Sequence, residues 1–202
     1  MKIREARFVM SVNRAVDLPA PAFAEIAFAG RSNVGKSSLI NALLQRRKLV
    51  RTSSTPGCTR GIGIFRVELA EPEAVLDLVD LPGYGFARRS KAERRSWAGL
   101  IEDFLGTRAG LRGVVVICDI RRGYEEDDLA LVELLGARRH EAILVATKLD
   151  KISATKRGAA LAAASRSGGR PVRGFSATTG AGRDALWDTL LSVAGIAAPL
   201  SA

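Results

Sequence analysis

EIAFAGRSNVGKSSLIN, residues Glu25 to Asn41, decides how the rest of the chain is read. Glu25–Ala29 is a short apolar run of the kind a buried parallel strand needs. Gly30-Arg31-Ser32-Asn33-Val34-Gly35-Lys36-Ser37 fits the spacing G-x-x-x-x-G-K-[ST], and Ser38 onward continues with apolar residues at helical intervals. Strand, glycine turn and helix together make a phosphate cradle. Glycines let successive N–H groups converge on phosphate oxygens, and the following helix adds its positive end to the same anion. Residues Gly30 to Ser38 are therefore candidate phosphate contacts. Lys36 would reach the outer phosphates as a catalytic cation, and the Ser37 hydroxyl would ligate magnesium.

Outward from this stretch, strand-like and helical segments alternate. Ile62–Leu69 and Ala74–Val79 are apolar runs joined by the polar turn Ala70-Glu71-Pro72-Glu73, an antiparallel pair by pattern. Helical spacing marks Ser90–Leu105, Glu125–Arg139, Ser153–Ser167 and Gly182–Val193. Gly113–Cys118, Glu141–Ala146 and Val172–Ser176 read as strands between them. This order predicts a Ras-like α/β fold: six strands, one antiparallel, with helices on both faces. Residues 25–196 form the predicted domain. Residues 1–24 precede it as a partly extended segment, in which Arg7-Phe8-Val9 could pair with the sheet, and 197–202 are a short tail. Val50–Gly63, rich in Thr, Ser, Gly and Pro, reads as a long exposed loop in place of a helix.

Two further motifs select the nucleotide. Asp80-Leu81-Pro82-Gly83 closes a strand, where the carboxylate would hold magnesium through water and the Gly83 N–H would meet a γ-phosphate. Alone, D-x-x-G occurs in many turns; its weight comes from order and position. Thr147-Lys148-Leu149-Asp150 also ends a strand. A carboxylate at Asp150 accepts from both N1–H and the 2-amino group of guanine, donors that adenine does not present there, so the wrong base leaves it unpaired. The Lys148 stem would cover the base, and Ser176-Ala177-Thr178 would supply an N–H to the guanine carbonyl, with Phe175 a further candidate contact. Three motifs at successive strand ends of one sheet edge specify GTP and GDP.

Bulk properties set limits. The 202 residues suit one domain, and no apolar run approaches the ~20 residues of a membrane span. No signal-peptide pattern follows Met1, and Cys58 and Cys118 lack metal-ligand spacing, so free thiols in the cytoplasm are expected. The net charge is +10, much of it as Arg46-Arg47-Lys48, Arg88-Arg89, Arg94-Arg95, Arg121-Arg122 and Arg138-Arg139. Such an excess favours a polyanionic partner such as RNA over a merely solvated basic surface.

The joint pattern of Glu25–Asn41, Thr52–Thr59, Leu78–Gly85, Thr147–Asp150 and Phe175–Ala177 resembles the EngB (YihA/YsxC) family of bacterial ribosome-assembly GTPases, within the TrmE–Era–EngA–EngB-type GTPases, over nearly the whole chain. The resemblance implies a monomeric, magnesium-dependent GTPase that assembles the large ribosomal subunit, through that subunit or its RNA, and is needed for normal septation. It places Gly57, Cys58, Thr59, Arg60 and Gly61 in a switch loop, with the Thr59 hydroxyl completing the magnesium shell and serving catalysis; Thr52 and Thr55 are local rivals. Cys58 and Arg60 stand where the family usually has Arg and Gln, and Ile62-Gly63-Ile64-Phe65 replaces its Asn-Phe-Phe tract. Tyr84 occupies the place where Ras-type enzymes carry a water-orienting Gln, which predicts slow hydrolysis. Asn33 is a candidate holder of potassium, as an equal alternative to simply bracing the loop. A basic RNA-binding scaffold with incidental hydrolysis is the alternative function. A P-loop kinase or ATPase is disfavoured by Asp150.

Overall fold

The computed structural model describes residues 1–50, 61–85 and 91–197, with side chains from residue 95 onward in the last stretch. The strands are β1 (Lys2–Val12), β2 (Ala24–Gly30), β3 (Ile62–Glu71), β4 (Glu73–Asp80), β5 (Leu111–Asp119), β6 (Glu141–Thr147) and β7 (Val172–Gly174). They form one sheet in the order β1-β3-β4-β2-β5-β6-β7. β2, β4, β5, β6 and β7 are parallel, and β3 is antiparallel to both β1 and β4. The Ras-like expectation holds, with seven strands rather than six. The extra strand is β1, whose pairing runs from Lys2↔Glu71 to Val12↔Ile62 and far exceeds the short segment around Phe8 that the sequence suggested. Its alternation is interrupted by register shifts, which hide a strand from a period-two reading.

The helices are α1 (Lys36–Leu43), α2 (Lys91–Thr107), α3 (Glu126–Ala137), α4 (Ala154–Gly168) and α5 (Arg183–Ala194). Alternation along β2 assigns them to two faces. Ile26 and Phe28 point to a core filled by Leu39, Ile40 and Leu43 of α1 and Leu186, Trp187 and Leu190 of α5. Ala27 and Ala29 point to the opposite core, with Ile101 and Phe104 of α2, Leu131 and Leu135 of α3 and Ala164 of α4. The small residues on that side of β2 leave room for aromatic Phe104 and Tyr84. At the lower end of β2, Glu25 and Arg108 form a buried ion pair, and Arg108 also donates to the Pro19 carbonyl at 2.6 Å. That contact fixes the proline-rich approach beneath the sheet. All parallel strands then deliver their C-terminal ends to one edge, where the sequence motifs lie.

Candidate nucleotide site

The phosphate loop leaves β2 at Gly30, where a Cβ would stand 2.9 Å from the Ile117 carbonyl oxygen in β5. Only glycine lets the chain turn so close to its neighbour. The loop is fixed to the D-x-x-G turn by main-chain bonds: Ser32 N–H to the Tyr84 carbonyl at 2.9 Å and Tyr84 N–H to that of Gly30 at 3.4 Å. Gly35 caps α1 at φ 102°, a left-handed conformation, beneath the Lys148 stem. α1 starts at Lys36, so its first free N–H groups face the loop.

Inside the loop, Lys36 and Asp80 are ion-paired and almost wholly buried. Asp80 ends β4 and is followed by Leu81, whose N–H donates to the Phe28 carbonyl at 3.0 Å. The lysine expected to bind phosphate therefore neutralises the carboxylate expected to bind metal. Each supplies what the other lacks in a buried setting. Ser37 is half-buried and Ser38, beside it on the same first turn of α1, is exposed.

The Thr147 hydroxyl at the end of β6 donates to the carbonyl oxygens of Val34 and, at 3.0 Å, Cys118. One hydroxyl thus ties the phosphate loop to β5. Lys148, at φ 60°, lays its side chain over the loop. Its Nζ donates to the Asn33 carbonyl at 2.7 Å and lies 3.0 Å from Asp119. Burial raises the Asp119 carboxyl, but hydrogen bonds from Arg121 and Lys148 outweigh it and hold the group below the usual range. Asp150 accepts from the Ser176 hydroxyl at 2.7 Å, which holds its carboxyl below the ordinary value, with the Lys151 ammonium 3.5 Å away helping. Ser176 is placed by a tight turn: Gly180 N–H donates to its carbonyl and Thr179 N–H to its hydroxyl. Its side-chain role is one that sequence reading missed, since only a main-chain N–H was expected there. Ala177 is exposed beside it, while the Phe175 side chain is fully buried and contributes through its main chain to Leu149 and Ala146.

Exposed parts of these elements line a cleft of about 770 Å³, with the Lys36–Asp80 pair buried beneath it. Gly35 and Ser38 stand at one end, Asp150 and Ala177 at the other, and Arg46, Arg47 and Lys48 form the side. The side wall belongs to residues assigned to no role from the sequence beyond their charge. Val50, expected in an exposed loop, is buried and bracketed by the Asn41 amide, which donates to its carbonyl at 2.7 Å and accepts from its N–H at 2.9 Å. Gly57, Cys58, Thr59 and Arg60 lie outside the described residues. Gly61 is described and abuts the Val12 carbonyl of β1.

A family model described as 50S ribosome-binding GTPase matches residues 25–148, from the first strand of the phosphate loop to the Lys148 of the guanine motif. A probable GTP-binding protein EngB of Desulfatibacillum aliphaticivorans is 46% identical over 202 residues, covering 97% of this chain and 95% of that protein. The chain belongs to the EngB family of GTP-binding proteins. It is a GTPase. The EngB protein of Geobacter metallireducens is likewise 46% identical, over 93% of this chain and 91% of its own length. Among solved structures, a probable GTP-binding protein engB superposes with a TM-score of 0.66 at 24% identity, covering 85% of this chain and 99% of the other. Era bound to MgGDPNP and 16S ribosomal RNA superposes at 0.71, also at 24% identity, over 90% of this chain and 60% of Era. At that identity the likeness concerns the fold.

One EngB-family residue has an unforeseen setting. Tyr84, directly after D-x-x-G, is buried at 3% exposure, packs its ring 4.6 Å from that of Trp97 and donates its hydroxyl to Asp128 of α3 at 2.7 Å. Trp97 in turn donates to the Pro82 carbonyl at 2.8 Å. Arg31 adds a clip, donating to the Gly85 carbonyl at 3.1 Å and pairing with Glu125 at the start of α3. The turn after Gly83 is anchored to α2 and α3, and Tyr84 is committed to the core instead of the cleft.

Proposed function

We propose that this GTPase is a slow, magnesium-dependent switch acting in assembly of the large ribosomal subunit in the bacterial cytoplasm, with normal septation depending on it. The observation that carries the switch is the buried Lys36–Asp80 pair. A nucleotide's phosphates draw Lys36 away, and Asp80 then needs another counter-ion; a divalent cation is the fitting one. Among the described residues no three acidic, Cys or His side chains gather to hold a metal by themselves. The donor set of Ser37 and Asp80, the latter through water, suits magnesium that takes its other ligands from phosphate, with Thr59 completing the shell in the GTP state. Bound there, the ion neutralises charge on the phosphates. Lys36 holds the outer phosphates, and the Gly83 N–H senses the terminal one.

Slow turnover follows from Tyr84. Its hydroxyl is given to Asp128, so no side chain at that position orients water. Stabilisation would come from a partner or from potassium beside Asn33, whose carbonyl is held by Lys148, whose backbone is left-handed and whose side chain is exposed. Turnover is expected to rise in potassium over sodium, and Asn33→Ala to abolish the difference; equal wild-type rates in the two salts would remove the cation.

The ribosomal reading rests on the +10 charge and on the family description. Era, of the same fold, was crystallised with ribosomal RNA, so a domain of this shape is compatible with such a partner. Cosedimentation of this protein, acting as a monomer on this proposal, with large-subunit particles is expected to be stronger with a GTP analogue than with GDP. Equal, salt-insensitive sedimentation in both states would leave the alternative of a basic scaffold with incidental hydrolysis.

A further inference from the structure

The positive charge of this chain is concentrated, and the fold shows where it is left over. Residues 26–67 contain eight lysines and arginines and no aspartate or glutamate. Three of the eight find carboxylates elsewhere in the fold: Arg31 pairs with Glu125, Lys36 with Asp80, and Arg66 with Asp77. Some basic residues on other elements are matched, Arg121 by Asp119, Arg14 by Asp17 and Arg170 by Glu141. Arg138 and Arg139 at the end of α3 form no ion pair among the described residues; what sets Arg46, Arg47 and Lys48 apart is that they line the cleft. Arg46, Arg47 and Lys48 are exposed, and among the described residues they form no ion pair.

These three cations stand on a loop with defined geometry. Gln45 and Lys48 adopt φ of 51° and 63°, Arg46 N–H donates to the Asn41 carbonyl at 3.0 Å, and the Asn41 amide brackets Val50 from both sides. The loop is closed on itself and rooted in the core through Val50. Holding three like charges side by side is unfavourable unless an anion meets them. A single nucleotide in the cleft places its phosphates at Gly35 and Lys36, at the other wall, so the loop's outward charge remains.

We infer that Arg46-Arg47-Lys48 forms an RNA-docking lip, which takes backbone phosphates of ribosomal RNA at the mouth of the nucleotide cleft. This rests on the ribosomal reading above and assigns it a surface. Phosphate recognition of this kind is independent of sequence and steeply salt-dependent, because each neutralised phosphate releases counter-ions. Since the same residues line the cleft, an RNA strand on the lip obstructs its mouth. Nucleotide exchange must then slow in both directions, whatever the equilibrium affinity does.

The test uses the full chain, deproteinised large-subunit ribosomal RNA and fluorescent GDP. Wild type is expected to bind RNA with a steep negative slope of log K against log salt. Arg46→Ala/Arg47→Ala/Lys48→Ala is expected to reduce that slope by about 2 to 3. Arg46→Lys/Arg47→Lys should retain it, and Arg138→Ala/Arg139→Ala, at the far end of α3, should leave it unchanged. Saturating RNA should slow GDP release from wild type several-fold and leave release from the triple variant unaffected relative to that variant alone. A triple variant with the wild-type slope, or wild-type release indifferent to RNA, overturns the lip while the ribosomal reading stands. A wild type without salt-dependent RNA binding overturns both.

Discussion

The two ends of the cleft are built on opposite terms. At the base end, Asp150 is already ionised and aimed, with Ser176 donating to it and the strand termini beneath it hydrogen-bonded to one another. At the phosphate end, Lys36 and Asp80 satisfy each other and must separate before either can serve a nucleotide. Preorganisation suits selection, because a fixed carboxylate discriminates between bases at no reorganisation cost. Mutual neutralisation suits switching, because occupancy is what redistributes the charge. On the proposed reading, the contrast would let guanine recognition stay constant while the D-x-x-G turn responds to the phosphate.

The contrast is broken most severely at Lys36. Lys36→Ala removes a phosphate ligand and also strands the buried Asp80 carboxylate, so it should lose GDP binding and about 3–5 kcal/mol of stability. Lys36→Met/Asp80→Asn should recover most of the stability in chemical denaturation and none of the binding. If the double variant is as unstable as the single one, the pair is not what makes the empty phosphate end tolerable.

Asp150→Asn acts at the other end and should spare the fold. Loss of two charge-assisted acceptances from guanine is expected to weaken GDP by about 100-fold or more. Xanthine carries a carbonyl where guanine has the 2-amino group, and an amide can donate to it, so xanthosine diphosphate should displace a labelled nucleotide better than GDP does. Unchanged GDP affinity would deny Asp150 its role.

Thr147→Val tests the tie between the ends. Its hydroxyl donates to Val34 and Cys118, and valine leaves those carbonyls without it. A stability loss of about 1–3 kcal/mol is expected, with GDP release faster and base selectivity retained. Equal loss of GTP and ATP discrimination would mean that the hydroxyl serves the base end as well.

How much of this could be read in advance follows the same division. The places of Gly30, Gly35, Lys36, Asp80 and Asp150 at strand ends were legible because each belongs to a short motif, and spacing within a motif is what a sequence displays. The Lys36–Asp80 pair, the Ser176 hydroxyl on Asp150 and the Tyr84–Asp128 bond join residues from separate elements, 44, 26 and 44 positions apart. No local pattern encodes them. Beyond the pairing expected around Phe8, the length of β1 escaped for a different reason: edge exposure and register shifts blur its alternation. The lip at Arg46–Lys48 was visible as charge, but its place on the cleft depends on α1 ending at Leu43 and on Asn41 drawing Val50 into the core.

Asp128 gives the smallest effect, and it is read as a slope. Burial raises its carboxyl, against the hydrogen bonds from Glu125 N–H and the Tyr84 hydroxyl, while Arg31 opposes and Glu125 adds to the rise. The folded protein therefore holds this proton more tightly than the unfolded chain does. Stability from this group is fully present below the unfolded value of about 4 and declines as pH rises through the higher folded value. Asp128→Asn cannot ionise, and its single amide oxygen can accept from only one of the two donors that reach Asp128, the Glu125 N–H and the Tyr84 hydroxyl, so one of these two contacts is weakened by about 1 kcal/mol. The variant should be the less stable protein near pH 4, and the gap should narrow at higher pH as the wild type alone loses stability. Denaturation midpoints at a series of pH values decide it, and a gap that widens with pH would show that the Asp128 carboxylate is favoured in its ionised form by Tyr84 and the α3 N-terminus more than burial disfavours it.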